Sequence, residues 1–255
     1  MGRLLLSLAP SESLTEEWLE ALERRSSLLN LELTGEQFNH FLDRQSAVLK
    51  GLFSVKDIIP AELARNWPFE HGLLSEQLKE QLIYFLEQAA QCKVSNVSLN
   101  LGLESLSMQK GESQEQVVNL LRSVTELCQR SGMTLGLTHR FPDLVEEDVP
   151  TALATVCNTY HEAVALTVDV FPAELEDATA LHGLLRKYFY RVSLIRFVTF
   201  PNLGQKLHPE FLKKAERILR QAGYDGDLVV APHFQSADYI PNVIQHYAVL
   251  EKLIS

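Results

Sequence analysis

The sequence has no excess of basic charge and no long hydrophobic run, and both absences exclude classes of partner. Its 255 residues carry a net charge of −10 and only short basic runs, whereas nucleic-acid binding relies on clustered Lys and Arg that neutralise phosphates. No apolar stretch approaches the roughly 18 residues that a membrane-spanning helix needs. We therefore expect neither a nucleic-acid partner nor a membrane partner.

Cysteine is scarce, and its three copies are widely spaced. Cys92, Cys128 and Cys157 lie in apolar, helix-like surroundings, which favours reduced and buried thiols over disulfides. The first ten residues, MGRLLLSLAP, lack the long apolar core and the cleavage site of a secretory signal, and they are more typical of a first strand. These features predict a cytoplasmic protein.

Several catalytic motifs are missing as well. The chain has no Gly-rich phosphate loop, no G-x-S-x-G turn, no C-x-x-C and no pair of histidines at metal-ligand spacing on one helix face. Each of these motifs would have indicated a particular chemistry. The functional hypothesis must therefore come from the fold and from scattered polar residues.

What the sequence does have is a regular alternation of two periodicities. Eight strand-like apolar segments, each followed by a segment with helical spacing, lie at 3–9, 28–34, 48–55, 94–102, 133–139, 164–170, 193–200 and 227–234. Strands that alternate with helices predict parallel β-α-β units. An open, doubly wound sheet usually has fewer strands, while eight units in about 250 residues are typical of a (β/α)8 barrel.

We predict a single-domain α/β TIM barrel over residues 1–255, because no linker or change of composition divides the chain. Local signals also predict where some helices begin and end. The capping-box spacing of Ser113 and Gln116 predicts a helix start, as does Pro209, while Gly132 and Gly223 predict helix ends.

Strand alternation predicts which polar side chains enter the barrel. If Asp169 faces inward, the matching inward residues are Glu32, Asn100, Thr138, Arg140, Thr167, Thr199, Ala231 and His233. A slip of one residue in any strand would exchange its set for the opposite face. These positions lie toward the carboxyl ends of the strands, where barrel enzymes have their active sites.

Parts of the chain resemble the xylose isomerase-like TIM-barrel superfamily, the group of sugar-phosphate isomerases, epimerases and endonuclease IV. The segments are SGMTLGLTHR, LTVDVFP and IRFVTFPNLGQKLHPEFLKKAERILRQAGYDGDLVV. In the last of them, Gly223-Tyr224-Asp225-Gly226 stands between the predicted seventh helix and eighth strand, as in that family. The resemblance implies a TIM barrel that acts on a sugar or sugar phosphate.

The resemblance also implies a divalent metal at the carboxyl-end mouth, held by Glu, Asp, His and Glu from successive strands. At the matching positions only Asp169 is retained, and the other three are Thr138, Pro172 and Ala231. The family's V-H-x-x-D becomes Val-Thr-Phe-Pro-Asn at 198–202. One carboxylate does not hold Mg²⁺ or Mn²⁺ tightly without help, so we predict that the usual metal site is lost. We assign no metal ligand, and the sequence leaves the cofactor unknown.

An isomerase or epimerase of this kind removes a proton next to a carbonyl and stabilises the resulting enediolate. We infer this reaction from the resemblance in fold, by analogy. The candidates for the base are Asp169, Glu32 and His233. Each also has another interpretation. Asp169 can form an ion pair with Arg140, and Glu32 can be a polar strand end that hydrogen-bonds a neighbouring loop. His233 can be a displaced metal ligand or a capped loop histidine.

The candidates for substrate contacts are Arg140, Asn100, Lys56 and Trp67. Arg140 can bind a phosphate or carboxylate through two hydrogen bonds, or it can form a structural ion pair with Asp143 or Asp169. Lys56 can stabilise an oxyanion or form a plain salt bridge. Trp67 can cover a sugar face or pack its long loop onto the barrel.

A second hypothesis comes from the substituted metal positions. It describes a metal-free, catalytically degenerate barrel that binds a small molecule or has a regulatory role. An endonuclease IV-like enzyme would need a His-rich mouth with several metals and a basic face, and the sequence has neither. No feature of the sequence specifies an oligomeric state.

Overall fold

Eight parallel strands form the centre of the protein. The structure is a computed structural model that describes residues 4–7, 30–43, 52–56, 58, 74–100, 112–140, 158–159, 161–170, 182, 185–186, 191–198 and 209–231. The strands are β1 (Leu4–Ser7), β2 (Leu31–Thr34), β3 (Leu52–Lys56), β4 (Asn96–Leu99), β5 (Thr134–Arg140), β6 (Val164–Val170), β7 (Val192–Val198) and β8 (Asp227–Ala231). Each predicted strand segment contains or overlaps one of them.

The strands close into a barrel in sequence order. Each strand pairs in parallel with the next, and β1 closes the ring by pairing with β8, with Leu5 opposite Val229. This confirms the predicted α/β TIM barrel and excludes the open, doubly wound sheet. That a single domain spans the whole of residues 1–255 stays a prediction.

Four helices are described between the strands. They are α1 (Gly35–Asp43), α2 (Leu74–Gln91), α3 (Glu112–Ser131) and α4 (Pro209–Gln221). Of these, α2 and α3 pack against each other on the outside of the barrel. No helix in the described part of the chain is long and apolar enough to cross a bilayer.

The helix boundaries test the local signals of the sequence. Pro209 begins α4 as predicted, and Gly132 and Gly223 follow α3 and α4 with φ of 66° and 77°, the left-handed conformation that glycine adopts at helix ends. The predicted start at Ser113 was wrong, because α3 already begins at Glu112. A capping residue precedes the first helical residue, so Ser113 cannot cap this helix.

A capping box that the sequence reading missed begins α1. The backbone N–H of Gln37 donates to Thr34 Oγ1 at 3.2 Å, and the backbone N–H of Thr34 donates to Gln37 Oε1 at 3.0 Å. Each side chain thus satisfies a backbone donor that the first turn leaves open. This fixes the path of the chain directly after β2, the strand that carries Glu32.

Apolar packing and a hydrogen bond from an amide to a carboxylate close the amino-terminal end of the barrel interior. Leu5, Leu194 and Val229 form a fully buried cluster. Next to it, Asn96 Nδ2 donates to Asp227 Oδ2 across the barrel at 3.0 Å. Because Asn96 and Asp227 are the first residues of β4 and β8, this contact lies at the amino ends of the strands.

The Gly-Tyr-Asp-Gly motif has a structural role at the same end. Tyr224 is buried, and its hydroxyl donates to the carbonyl oxygen of Asp227 at 2.9 Å. A Cβ at Gly226 would lie 2.4 Å from the Tyr224 hydroxyl and 2.7 Å from the carbonyl oxygen of Ser193. The tyrosine ring therefore needs a glycine beneath it, which explains the spacing of the motif without any role in chemistry.

Candidate active site

An arginine on β7 lies at the centre of the polar part of the barrel. Arg196 is only 2% exposed. A charge removed from water in this way needs close partners of opposite sign. The acidic partners of Arg196 come from β2, which is distant in sequence, and from the neighbouring strand β6.

Glu32 on β2 is the first partner, and it is completely buried. Arg196 Nε donates to Glu32 Oε1 and Nη2 donates to Oε2, both at 2.8 Å. Two parallel hydrogen bonds of this kind fix the relative orientation of guanidinium and carboxylate. The pair joins β2 to β7 through the interior.

Asp169 on β6 is the second acid that contacts the guanidinium. Its backbone is in register with Arg196 on the neighbouring strand, and Arg196 Nη1 donates to Asp169 Oδ1. The Asp169 side chain is 24% exposed, and no described residue donates to its other carboxylate oxygen. Asp169 is therefore the acid of this network that a ligand at the mouth can reach.

Two serines and a lysine complete the arrangement around Arg196, Glu32 and Asp169. We call all six residues the Arg196 network. Ser54 donates to Glu32 Oε2 at 3.1 Å, and Arg196 Nη2 donates to Ser98 Oγ at 3.3 Å. Lys56, the last residue of β3, has its Nζ 4.0 Å from Glu32 Oε1 and is 18% exposed. The network holds two acids and two bases, so its formal charges balance.

The network shifts the pKa values of its two acids in opposite directions. Burial acts to raise the pKa of Glu32, but the charges of Arg196 and Lys56 and the hydrogen bonds to the carboxylate outweigh it, and this pKa is lowered. Burial raises the pKa of Asp169, although Arg196 and Lys56 act against it. The charge of Glu32 adds to that increase, because like charges disfavour each other's ionised form.

Two buried hydroxyls near the network have no hydrogen-bond partner within the described residues. They are Ser7 Oγ and Thr138 Oγ1. Ser7 is in register with Glu32 on the neighbouring strand, and Thr138 precedes the carboxyl end of β5 by two residues. Buried hydroxyls are normally satisfied by protein or by water, so both are available to a water molecule or to a ligand hydroxyl.

A divalent metal does not fit between these two acids as they stand. Both oxygens of Glu32 and one of Asp169 accept N–H bonds from Arg196, so the guanidinium occupies the place from which an ion would have to contact them at about 2.0–2.6 Å. Within the described ranges, no three His, Cys, Asp or Glu side chains are grouped so as to hold a metal ion.

The predicted site residues have different outcomes. Glu32, Lys56 and Asp169 come together in the Arg196 network. Asn100 directly follows β4 and is exposed, on the same face as Ser98 by strand alternation. The backbone of Arg140 is in register with Asp169, but its side chain, like the whole of Trp67 and His233, lies outside the described residues.

The prediction for β7 was wrong by one residue. The inward position was assigned to Thr199, which implies that the odd-numbered residues of the strand face inward, whereas the contacts of Leu194 and Arg196 show that the even-numbered residues do. Arg196 was missed for this reason. The signal that points to it is its isolation, since it is the one charged residue in the segment SLIRFVTF.

Comparisons with known proteins identify the fold. No family model and no curated protein sequence matches the chain. Among solved structures, 3-keto-D-glucoside 4-epimerase (YcjR) from E. coli has a TM-score of 0.65 at 12% identity, covering 99% of this chain and 100% of that one. D-psicose 3-epimerase from Clostridium cellulolyticum H10 has a TM-score of 0.60 at 13% identity, covering 100% and 96%.

A third similar structure is an AP endonuclease, family 2, from Brucella melitensis. It has a TM-score of 0.62 at 14% identity and covers 94% of this chain and 99% of that one. Similarity at such low identity shows the fold alone. The similarity therefore supports the TIM-barrel fold that the resemblance stated from the sequence implies.

Proposed function

We propose that the protein is a sugar or sugar-phosphate isomerase or epimerase that abstracts a proton next to a carbonyl at the carboxyl-end mouth of the barrel. The observation that carries this proposal is the Asp169 carboxyl group, which is partly exposed and is held through one oxygen by Arg196. The names of two similar structures, a D-psicose 3-epimerase and a 3-keto-D-glucoside 4-epimerase, support a sugar as the substrate class.

In the proposed reaction Asp169 is the base. It takes the proton from the carbon next to the carbonyl, the electron pair of the broken C–H bond forms the C=C bond of an enediolate, and the negative charge passes to the former carbonyl oxygen. The raised pKa of Asp169 makes its carboxylate a stronger base. Lys56, partly exposed beside the acids, stabilises the enediolate oxygen.

Glu32 and Arg196 have a different part in the proposal. Both are buried, so neither touches the substrate. Arg196 orients the Asp169 carboxylate, and Glu32 holds Arg196 and Lys56 close to it. They are positioning residues, and their effect on the reaction passes through Asp169 and Lys56.

The return of the proton decides which product forms. If Asp169 returns it to the former carbonyl carbon, and the proton of the neighbouring hydroxyl passes to the former carbonyl oxygen, the reaction is an aldose–ketose isomerisation. Epimerisation at the same carbon needs a second acid on the opposite face of the enediolate, and His233 is our candidate. Thr138 can bond a substrate hydroxyl, and Asn100, Arg140 and Trp67 remain proposed substrate contacts on the sequence argument alone.

The test is hydrogen exchange into substrate. We would incubate the protein with aldoses, ketoses and their phosphates in deuterium oxide and follow deuterium next to the carbonyl by NMR. We expect exchange with at least one sugar, its loss in Asp169→Asn, and its retention in Asp225→Asn, which removes an exposed acid at the other end of the barrel. Exchange that persists in Asp169→Asn would contradict the role of Asp169.

The same experiment separates the second candidate function. One observation favours a metal-free binding or regulatory barrel: Arg196 already forms ion pairs with both Glu32 and Asp169. That candidate predicts that a sugar raises the melting temperature without any deuterium exchange. A cytoplasmic location and the absence of nucleic-acid and membrane partners stay proposals from the composition of the chain, and a small-molecule partner stays a proposal from the resemblance.

A further inference from the structure

The two acids of the Arg196 network come from different sides of the barrel and would repel each other if nothing lay between them. Glu32 is on β2 and Asp169 is on β6, and the charge of Glu32 acts to raise the pKa of Asp169. Arg196 bridges them with hydrogen bonds to three of their four oxygens. A cation at this point is therefore required by the two acids themselves.

We propose that the Arg196 guanidinium is a built-in cation that takes the place of a divalent metal ion between Glu32 and Asp169, and that removing it turns this place into a site for a hard divalent cation such as Mn²⁺. The inference concerns the cation alone, and it holds whichever of the two candidate functions is right.

The oxygen atoms around the guanidinium carry the first step of the argument. Glu32 Oε1 and Oε2, Asp169 Oδ1 and Ser98 Oγ all contact Arg196 nitrogens. Carboxylate, hydroxyl and water oxygens are the ligands that hard divalent cations take, and such ions complete their shell with water. If the guanidinium is removed, these oxygens surround a space that a hard divalent cation can fill, with the oxygens as its ligands.

The charges carry the second step. Two carboxylates face two cationic groups, Arg196 and Lys56, and a divalent ion added to this balanced set would leave an excess positive charge in a buried place. Removal of Arg196 leaves one excess negative charge, and removal of both cations leaves two. The affinity for a divalent ion should therefore rise from wild type to Arg196→Ala and rise again in Arg196→Ala/Lys56→Met.

The experiment measures Mn²⁺ binding to the full-length protein after treatment with a chelator, by calorimetry and by the EPR signal of free Mn²⁺. We expect no stoichiometric binding by the wild type or by Lys56→Met, which still has its guanidinium. Arg196→Ala should bind one Mn²⁺ more tightly than wild type by roughly 100-fold or more, the factor that relief of an uncompensated buried carboxylate implies.

Further variants locate the gained site. The addition of Asp169→Asn to Arg196→Ala should abolish the gain, and Arg196→Lys, which keeps the charge, should show little of it. If Arg196→Ala does not fold alone, Arg196→Gln and folding in the presence of Mn²⁺ provide the same comparison, since metal-dependent folding supports the proposal. Wild-type binding of one Mn²⁺ that Glu32→Gln or Asp169→Asn removes would overturn it, as would failure of both variants to fold or to bind Mn²⁺.

Discussion

The two ends of the barrel interior both contain a buried acid, but they stabilise it differently. At the amino-terminal end, Asp227 accepts a hydrogen bond from the neutral amide of Asn96. In the carboxyl-terminal half, Glu32 and Asp169 are held by the charged Arg196, with Lys56 nearby. Leu5, Leu194 and Val229 form a buried apolar cluster in the interior.

In the function that we propose, the two ends have different roles, one in stability and the other in catalysis. The acid at the amino-terminal end lies beside the tightly packed Tyr224 and has 7% of its surface exposed, so its contacts serve the closure of the barrel. The acids in the other half are balanced by the cations Arg196 and Lys56, and Asp169 is partly exposed at the mouth. Barrel enzymes use this same carboxyl-terminal face for catalysis.

The largest effect on stability is expected when Arg196, the buried cation of the carboxyl-terminal half, is removed. Arg196→Met leaves the buried Glu32 and the partly exposed Asp169 without their shared partner, and we expect a loss of about 3–5 kcal/mol in the free energy of unfolding. Urea denaturation measures it. The control is Arg217→Met, which removes an exposed arginine on α4 and should leave stability nearly unchanged. Equal stability of the two variants would contradict the account.

The packing at the amino-terminal end can be tested with a single methyl group. Gly226→Ala would bring a Cβ to 2.6 Å from Tyr224 Cζ, and overpacking of this kind costs about 1–3 kcal/mol. Gly132→Ala is the contrast, because no atom lies within 4 Å of the added Cβ there and any loss comes from the backbone conformation. A Gly226→Ala protein as stable as wild type would show that the ring does not rest on this glycine.

The pH dependence of stability distinguishes the two halves further. The pKa of Glu32 is lowered below 4.5, so its contribution is present above pH 4.5 and is lost as the pH falls through the folded-state pKa. Glu32→Gln should therefore reduce the acid-side slope of the unfolding free energy by about one proton. Melting temperatures across the acid range test this, with Asp225→Asn as the control that should keep the wild-type slope.

Asp169 should act in the opposite sense. Its pKa is raised above 3.8, so its contribution is present below pH 3.8 and is lost as the pH rises through the folded-state pKa. As the pH rises from 3.8 through the folded-state pKa, the melting temperature of Asp169→Asn should therefore fall less than that of the wild type. An identical profile for Asp169→Asn and wild type would mean that this carboxyl group is not perturbed in the folded protein.

The smallest expected effect concerns one hydrogen bond at the amino-terminal end. Tyr224→Phe removes the donor to the Asp227 carbonyl oxygen and should cost about 1 kcal/mol. Tyr84→Phe is the matched control, because Tyr84 is 63% exposed on α2 and its hydroxyl can bond to water in both folded and unfolded chains. Thermal unfolding of both variants measures the difference, and a loss of equal size in both would refute a special role for the Tyr224 hydroxyl.

The fold could be predicted from the sequence because its signals are local. Apolar strand segments that alternate with helical spacing, and glycines such as Gly132 after a helix, act over a few residues. Glu32 and Asp169 could also be assigned to the interior, because each is a lone acid at the end of an apolar strand and alternation fixes its face.

The ion-pair network could not be predicted in the same way. Arg196 and Glu32 are 164 residues apart in the chain, and only barrel closure brings them together. Both faces of a parallel strand are buried in this fold, one by the interior and one by the helices, so β7 has no clear alternation of polar and apolar residues from which to read its register. The lone Arg196 could still have been found by asking which buried acid neutralises it.

The most direct test of the central claim is a crystal structure of the wild-type protein grown with Mn²⁺, with diffraction data collected at the manganese absorption edge. We expect density for the Arg196 guanidinium between Glu32 and Asp169 and no anomalous peak at that place. An anomalous peak coordinated by Glu32 and Asp169, with the arginine side chain displaced, would contradict the account.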